Sequence, residues 1–203
     1  MDDLILFLDA GNRASYFGYG KLWSDLSNNR NNSSLENGPI HDGINKGSFS
    51  FDGENDYVNS PINIDSNPIT ISLWFNIISL NYTHGVIGNL NKGFGIHNRM
   101  IIVRSGDSFE DTGVYMNSNV WYYLSLVYSL TSTELYINGN LSWTGGPSET
   151  VSSSNEMHIG KFNYSGIDKF FRGNISQVLV YNKELTSEEV QDSFNSGRER
   201  YGV

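Results

Sequence analysis

A two-residue alternation of apolar and polar positions dominates the chain. In "ITISLWFNI", Ile69, Ile71, Leu73, Phe75 and Ile77 fall on one side, while Thr70, Ser72, Trp74 and Asn76 fall on the other. That is the pattern of a strand with one face in a core. "VWYYLSLVYS", residues 120–129, is aromatic and β-branched throughout and predicts a central strand. Between Leu135-Tyr136-Ile137 and Leu141-Ser142-Trp143 stands Asn138-Gly139, a dipeptide that tolerates positive φ at both positions and so predicts a tight hairpin. Further strands are predicted at 4–8, 48–52, 56–59, 84–90, 93–97, 99–104, 113–116, 156–160 and 170–181, separated by clusters of Gly, Asn, Asp and Ser. One helix is predicted in "LTSEEVQDSFNSG". There Thr186 or Ser187 caps, Glu188 and Glu189 meet the positive end of the dipole, and Gly197 stops it. Residues 11–47, with "SNNRNNSS" inside, read as a long loop wrapped around the β core.

Composition narrows the classes. A chain of 203 residues with many short strands fits one all-β domain, 1–203, with 1–47 as an N-terminal strand and loop lead-in and 48–203 as the sandwich proper. The net charge of -9, with no basic cluster, argues against nucleic acid as a partner. The absence of cysteine removes disulfides and thiolate chemistry, so packing must hold the fold. The apolar run Leu4–Leu8 is too short for a signal segment and follows two aspartates, so no signal peptide is read. No apolar stretch is long enough to insert into a membrane.

Several chemistries can be weighed on residues alone. His41, His84, His97 and His158 are isolated in sequence and form no zinc motif. "YFGYGKLW" and "KGFGIHN" contain Gly-x-Gly without the third glycine and helix of a phosphate loop. No Gly-x-Ser-x-Gly elbow exists. In "FDGENDYV", Asp52, Glu54 and Asp56 have the spacing of the first calcium-loop ligands, but no glycine holds the sixth place and Asn63 stands where a bidentate Glu would close it. The other reading of the octapeptide is a β-turn opened by Asp52-Gly53 and closed by Asn55-Asp56.

The succession "SFSFDGENDYV", "ITISLWFN", "WYYLSLVYS" with "TELYINGN", "MHIGKF" and "FRGNISQVLVYNKELTSEEVQDSF" resembles the laminin-G-like, concanavalin A-like lectin/glucanase superfamily. The opening "LFLDAGNRASYFGYGKLWSDLSNNRNNSSLENGP" resembles the lead-in of such modules in bacteriophage and environmental viral structural proteins. The resemblance implies an antiparallel β-sandwich, a concanavalin A-like jelly roll, closed by one short C-terminal helix. Its concave face or rim loops would bind carbohydrate. Trp74 and Asn76, on the polar side of their strand, and Tyr115 and Trp143 are the candidate sugar contacts, with Trp74 a core ring instead if another element covers that side.

The resemblance also implies a calcium ion between sheet-edge loops, for which Asp52, Asp56 and Asp9 are the candidate ligands. Relatives carry an acidic pair early in the closing strand, where this chain has Ser176 and Gln177. Glucanases of the superfamily carry Glu-x-Asp-x-(x)-Glu on one strand face. Glu54 and Asp56 supply the first two acids, but Val58 and Asn59 replace the third, so a non-enzyme is expected. The implied role is a lectin-like module of a virion or other extracellular assembly that binds host surface glycans. The alternatives are a structural module that binds other virion proteins and, behind it, a glycoside hydrolase with an atypical acid pair; a homo-oligomer is compatible with the first two readings.

Overall fold

The structure is a computed structural model that describes residues 3–148 and 156–203; the rest of 1–203 lies outside the described residues. In chain order the strands begin β1 (Leu4–Asp9), β2 (Leu22–Trp23), β3 (Ser33–Glu36), β4 (Ile40–Asp42), β5 (Ser48–Asp52), β6 (Tyr57–Ser60), β7 (Ile69–Ile77), β8 (His84–Gly88) and β9 (Lys92–His97). They continue with β10 (Met100–Ser105), β11 (Ser108–Tyr115), β12 (Trp121–Tyr128), β13 (Thr133–Ile137), β14 (Asn140–Gly145), β15 (Met157–Ile159), β16 (Lys161–Tyr164), β17 (Ile167–Phe170) and β18 (Arg172–Tyr181). Helix α1 (Ser187–Tyr201) follows.

Two antiparallel sheets face each other. The first runs β14-β13-β12-β7-β18-β5-β4, with β1 also paired to β18; the second runs β11-β10-β9-β8-β15-β6-β3-β2. Leu6, Leu8, Ile71, Leu73, Phe75, Leu126, Val178 and Val180 of the first meet Val86, Phe94, Ile96, Ile101, Val103 and Ile159 of the second in one buried core. These are the inward members of the alternating strands, so the predicted period-two register is the observed one. The hairpin at β13–β14 turns on Asn138 (φ 50°) and Gly139 (φ 80°), as the dipeptide predicts.

The lead-in departs from its reading as a loop. β3 pairs with β6 and carries β2 beyond it, while β4 pairs with β5, so residues 22–42 extend both sheets at their margins. These strands are two to four residues long. At an edge, backbone pairing suffices and little apolar alternation is needed, which is why the pattern does not show them.

The outward face of β7 is buried as well. Trp74 is 1% exposed and stacks on Tyr201 of α1, ring centroids 4.0 Å apart at 14°, with Phe194 at 5.8 Å. Together with Trp121, Tyr123, Val127, Tyr136 and Val190 it forms a second core between the first sheet and the helix. Trp74 is therefore a packing residue and not a surface ring. Helix α1 starts as predicted, since Thr186 accepts from the Glu189 N–H at 3.2 Å and the Glu189 carboxylate accepts from the Thr186 N–H at 2.9 Å. It does not stop at Gly197. A Cβ there would lie 2.7 Å from the Trp74 indole nitrogen, so the glycine serves close approach within the helix, and Gly202 at φ 74° ends it.

Lys92 is fully buried beneath the 62–68 connection. Its ammonium donates to the carbonyl oxygens of Asp65 and Ser66 at 2.8 and 2.6 Å and to Asn67 Oδ1 at 2.8 Å. Burial pulls its pKa from 10.5 to about 8, against the attraction of Asp65. Burial acts the opposite way on phenols: Tyr128, Tyr136 and Tyr201 are pushed well up, and Tyr181 is raised to about 12.

Two outcomes follow from this packing. Trp74→Ala removes the centre of the second core and is expected to cost about 3–5 kcal/mol, read from urea denaturation. As for pH, Lys92 binds its proton less tightly in the folded than in the unfolded chain, so its titration adds stability as pH rises from about 8 to 10.5. The tyrosines bind theirs more tightly when folded, so stability falls as pH rises beyond about 10. Melting curves should therefore hold or rise up to pH 10 and drop steeply above it, and Lys92→Met should abolish the rise.

Candidate functional site

The "FDGENDYV" stretch forms the turn between β5 and β6. Asp52 Oδ1 accepts from the N–H groups of Glu54 (2.8 Å) and Asn55 (3.3 Å), and Asp56 Oδ2 accepts from the Asp52 N–H (3.1 Å). Gly53, at φ 80°, supplies the left-handed residue the turn needs. Burial pushes the Asp52 carboxyl up, but the N–H donors of Glu54, Asn55 and Asp56 outweigh it and leave the pKa below the usual value. Burial keeps Asp56 above the usual value. Glu54 is exposed and Asp56 is 5% exposed, so these two acids lie in a turn and do not line one strand face as the glucanase motif requires.

This turn forms one wall of a cleft of about 630 Å³ at one end of the sandwich. The other walls are Asn81, Tyr82 and Thr83 before β8, His97 and Asn98 at the end of β9, and Lys169, Phe170 and Arg172 where β17 meets β18; His84 also lines it. Tyr82 is 67% exposed and offers a ring face to solvent. His97 is held in place, with Nδ1 2.7 Å from Thr83 Oγ1, Nε2 2.9 Å from Asn98 Nδ2, and its ring stacked on Tyr164. Asp168 pairs with Lys161 at 3.3 Å and accepts from Asn163 at 3.2 Å. Burial raises its pKa, but these partners leave it below the usual value. Exposed ring, amides, carboxylates and cations around one concave space make a set suited to a polyhydroxylated ligand.

The β16–β17 hairpin defines this cleft, and the sequence pattern does not predict it. It turns on Ser165 (φ 52°) and Gly166 (φ 80°), and that Ser-Gly dipeptide between Phe162, Tyr164 and Ile167 is the signal that could have found it. The hairpin lies across the outer face of the second sheet. An alanine at Gly85 would place its Cβ 2.2 Å from Phe162 N, and one at Gly95 would place it 2.1 Å from Phe162 Cε1, so only glycines admit the hairpin there. Phe109 completes the seal, with its ring 4.6 Å from Tyr164 and 5.5 Å from Phe162.

The four predicted sugar contacts do not meet. Trp74 is under α1, and Asn76, 8% exposed, lies in the ladder between β12 and β18. Tyr115 is 64% exposed at the end of β11, and Trp143 is half-buried on β14 against the main core. Neither of these two rings packs on another ring among the described residues.

Of the three candidate calcium ligands, Asp52 and Asp56 share one turn, but Asp9 lies apart from them. Asp9 pairs with Gln177 and Asp52 with Arg172, five residues apart on β18, which separates them by roughly 16 Å. Asp9 is already occupied: Arg200 Nη1 reaches its two oxygens at 2.9 and 3.0 Å, and Gln177 Nε2 donates to it at 2.8 Å. The rest of the guanidinium donates to the Lys46 and Gly47 carbonyls and to Ser176 Oγ. Ser176 and Gln177 thus sit around an arginine cation where relatives have an acidic pair. Among the described residues no three His, Asp or Glu side chains are placed to hold a metal, so the donor set does not fit calcium.

An antiparallel sandwich with a covered outer face on each sheet and a polar cleft at one end defines a lectin-type jelly roll. The family model of the Concanavalin A-like lectin/glucanases superfamily, in its laminin-G group, matches residues 52–191, and the chain belongs to that family. No curated protein matches it. Among solved structures it is similar to the binding domain of botulinum neurotoxin DC in complex with SialylT: TM-score 0.75, 17% identity, 96% of this chain and 51% of that one. The same toxin domain in complex with rat synaptotagmin II aligns at TM-score 0.74, 18% identity, 96% and 52%. Trypanosoma rangeli sialidase, as a covalent intermediate with difluorosialic acid, aligns at TM-score 0.72, 16% identity, 100% and 34%. The chain spans about half the length of the toxin structures, and at these identities the likeness shows the fold.

The Arg200 assignment has a direct check. Arg200→Met leaves Asp9 buried without its cation and should cost about 3 kcal/mol by chemical denaturation. The wild-type melting temperature should agree within about 1 °C in calcium and in chelator, because Arg200 already occupies the Asp9 carboxylate.

Proposed function

We propose that the chain is a non-catalytic, lectin-like carbohydrate-binding module of an extracellular or virion-borne assembly, with the end cleft as its binding surface. The observation that carries this reading is the cleft itself. The exposed ring of Tyr82 stands beside the amides of Asn81 and Asn98, the carboxylates of Asp52 and Glu54, and the Arg172 guanidinium. Sugars offer C–H faces to rings and hydroxyls to such groups. The toxin domains, solved in complex with SialylT and with rat synaptotagmin II, support recognition as the class of activity. About half of each has no counterpart here, so neither ligand is carried over. The turn geometry of Glu54 and Asp56 supports a role without hydrolysis. The lead-in's likeness to those of viral structural proteins supports the virion setting.

One observation favours a protein partner as a second reading. Between β1 and α1 runs an apolar trough of about 770 Å³, floored by Leu4, Phe7, Leu26, Leu179 and Leu185.

Titration calorimetry against a panel of neutral and acidic oligosaccharides separates the two. At least one sugar should bind. Tyr82→Ala should weaken it at least about tenfold, a loss of about 1.4 kcal/mol, while Trp143→Ala leaves it unchanged. No binding across the panel, or loss through Trp143 and not Tyr82, removes the proposal and moves the weight to the trough.

A further inference from the structure

Among the described residues, three two-residue hairpin turns have positive φ at both positions. Asn138-Gly139 joins β13 to β14 and Ser165-Gly166 joins β16 to β17, each with glycine second. The turn from β9 to β10 is Asn98-Arg99, at φ 49° and 71°, closed by the pairing of His97 with Met100. Turns of this type favour glycine in the second place, because a Cβ makes the left-handed conformation costly. A residue with a side chain held there points to a use for that side chain.

The fold makes little use of it. Arg99 is exposed, and among the described residues its guanidinium makes one hydrogen bond, from Nη2 to Asn117 Oδ1 at 3.4 Å, and no ion pair. Its carbonyl accepts from the Met116 N–H at 2.8 Å, a bond that any residue would supply. The side chain lines a hollow of about 580 Å³ with Ser79, Asn81, Asn117 and Ser118, and no Asp or Glu stands in its walls. This hollow adjoins the end cleft. Asn81 lines both, and in the β9–β10 turn Asn98 lines the cleft while Arg99 lines the hollow.

The geometry points to Arg99 as the residue that reads an acidic substituent, a carboxylate or a sulfate ester, on a glycan lying across both spaces. The inference rests on the carbohydrate-binding reading above and adds the ligand class and the group that selects it. A guanidinium is always charged, and its paired N–H donors match two oxygens of either anion. The amides and hydroxyls around it suit the neighbouring sugar hydroxyls. Charge separates the two spaces. The cleft holds both signs, Asp52 and Glu54 against Lys169 and Arg172, whereas the hollow has a cation and no carboxylate. On a chain of net charge -9, that is the place at this end where an anion is favoured.

The test uses the full chain and three matched oligosaccharides: a neutral one, its counterpart with uronic acid units and its sulfated counterpart. By titration calorimetry at least one acidic form should bind at least tenfold more tightly than the neutral one, and the better of the two distinguishes carboxylate from sulfate. Arg99→Gly suits the turn, so it should raise the melting temperature by about 2 °C, while it erases the acidic preference and leaves the affinity for the neutral form unchanged. Arg99→Lys, which keeps the charge and loses the fork, should keep only part of the preference. Acidic forms that bind no better than the neutral one, or a preference that survives Arg99→Gly and is lost in Arg172→Gln, would overturn the inference and leave the cleft reading in place. So would a melting temperature several degrees lower in Arg99→Gly, which would make the side chain a support of the fold. No binding of any of the three by wild type would remove the cleft reading, and the inference with it.

Discussion

One cation organises the way this chain closes on itself. The Arg200 guanidinium reaches Asp9 at the end of the first strand, the Lys46 and Gly47 carbonyls before β5, and Ser176 on β18. Tyr201 donates to the same Ser176 hydroxyl at 2.8 Å. Four stretches remote in sequence are therefore joined through the last turn of the helix. A planar guanidinium suits the task, because its five N–H donors are always charged and fixed in direction. A divalent ion would need more carboxylate than this corner provides, as Ser176 and Gln177 are both uncharged. The resemblance to calcium-binding relatives and the lack of a fitting donor set are thus reconciled in one place.

Anchoring the helix end has a consequence for the whole surface. It holds Tyr201 and Phe194 over Trp74, so the outer face of the first sheet around Trp74 becomes a second core and only the trough beside β1 stays open on that side. The β16–β17 hairpin does the same to the second sheet, with Phe162 seated on glycines of β8 and β9. With the centre of each face roofed, the end of the sandwich keeps an open polar concavity. The walls there are strand ends and connecting turns. Loops positioned by a rigid scaffold are where recognition groups usually lie.

What can be read in the sequence follows from which forces leave a local trace. Strands with one face in the core betray themselves by alternation, and Asn138-Gly139 by its need for positive φ, so the sandwich and its central hairpin are legible. β2, β3 and β4 leave no such trace because they are short margins paired through backbone. Gly197 is misleading for a related reason: its purpose is the indole of Trp74, more than a hundred residues away in sequence. Trp74 itself sits in a polar-looking row with Thr70, Ser72 and Asn76. Those neighbours are satisfied at long range, Ser72 by Ser125 at 2.7 Å and Thr70 by the Lys183 carbonyl at 2.7 Å. Polarity along a strand suggests exposure, whereas here it marks a buried face whose hydrogen bonds come from elsewhere. Of the cleft residues, only the carboxylates of the 52–56 turn stand out in the sequence, and they do so as metal ligands or catalytic acids. His84, His97 and Tyr82 come from two strands and a loop, and no spacing in the chain announces their meeting.

The two histidines of the cleft are held in different ways. His97 has Thr83 and Asn98 on its nitrogens and Tyr164 against its ring, so its orientation is fixed and its hydrogen-bonding capacity is spent. His84 lies deeper, 2% exposed, against the Phe170 and Ser79 carbonyls and the edge of Phe171, and burial lowers its pKa. The 52–56 turn, another wall of the cleft, has the Asp52 and Asp56 carboxylates taken up by backbone N–H groups, so these parts of the site are rigid and internally satisfied.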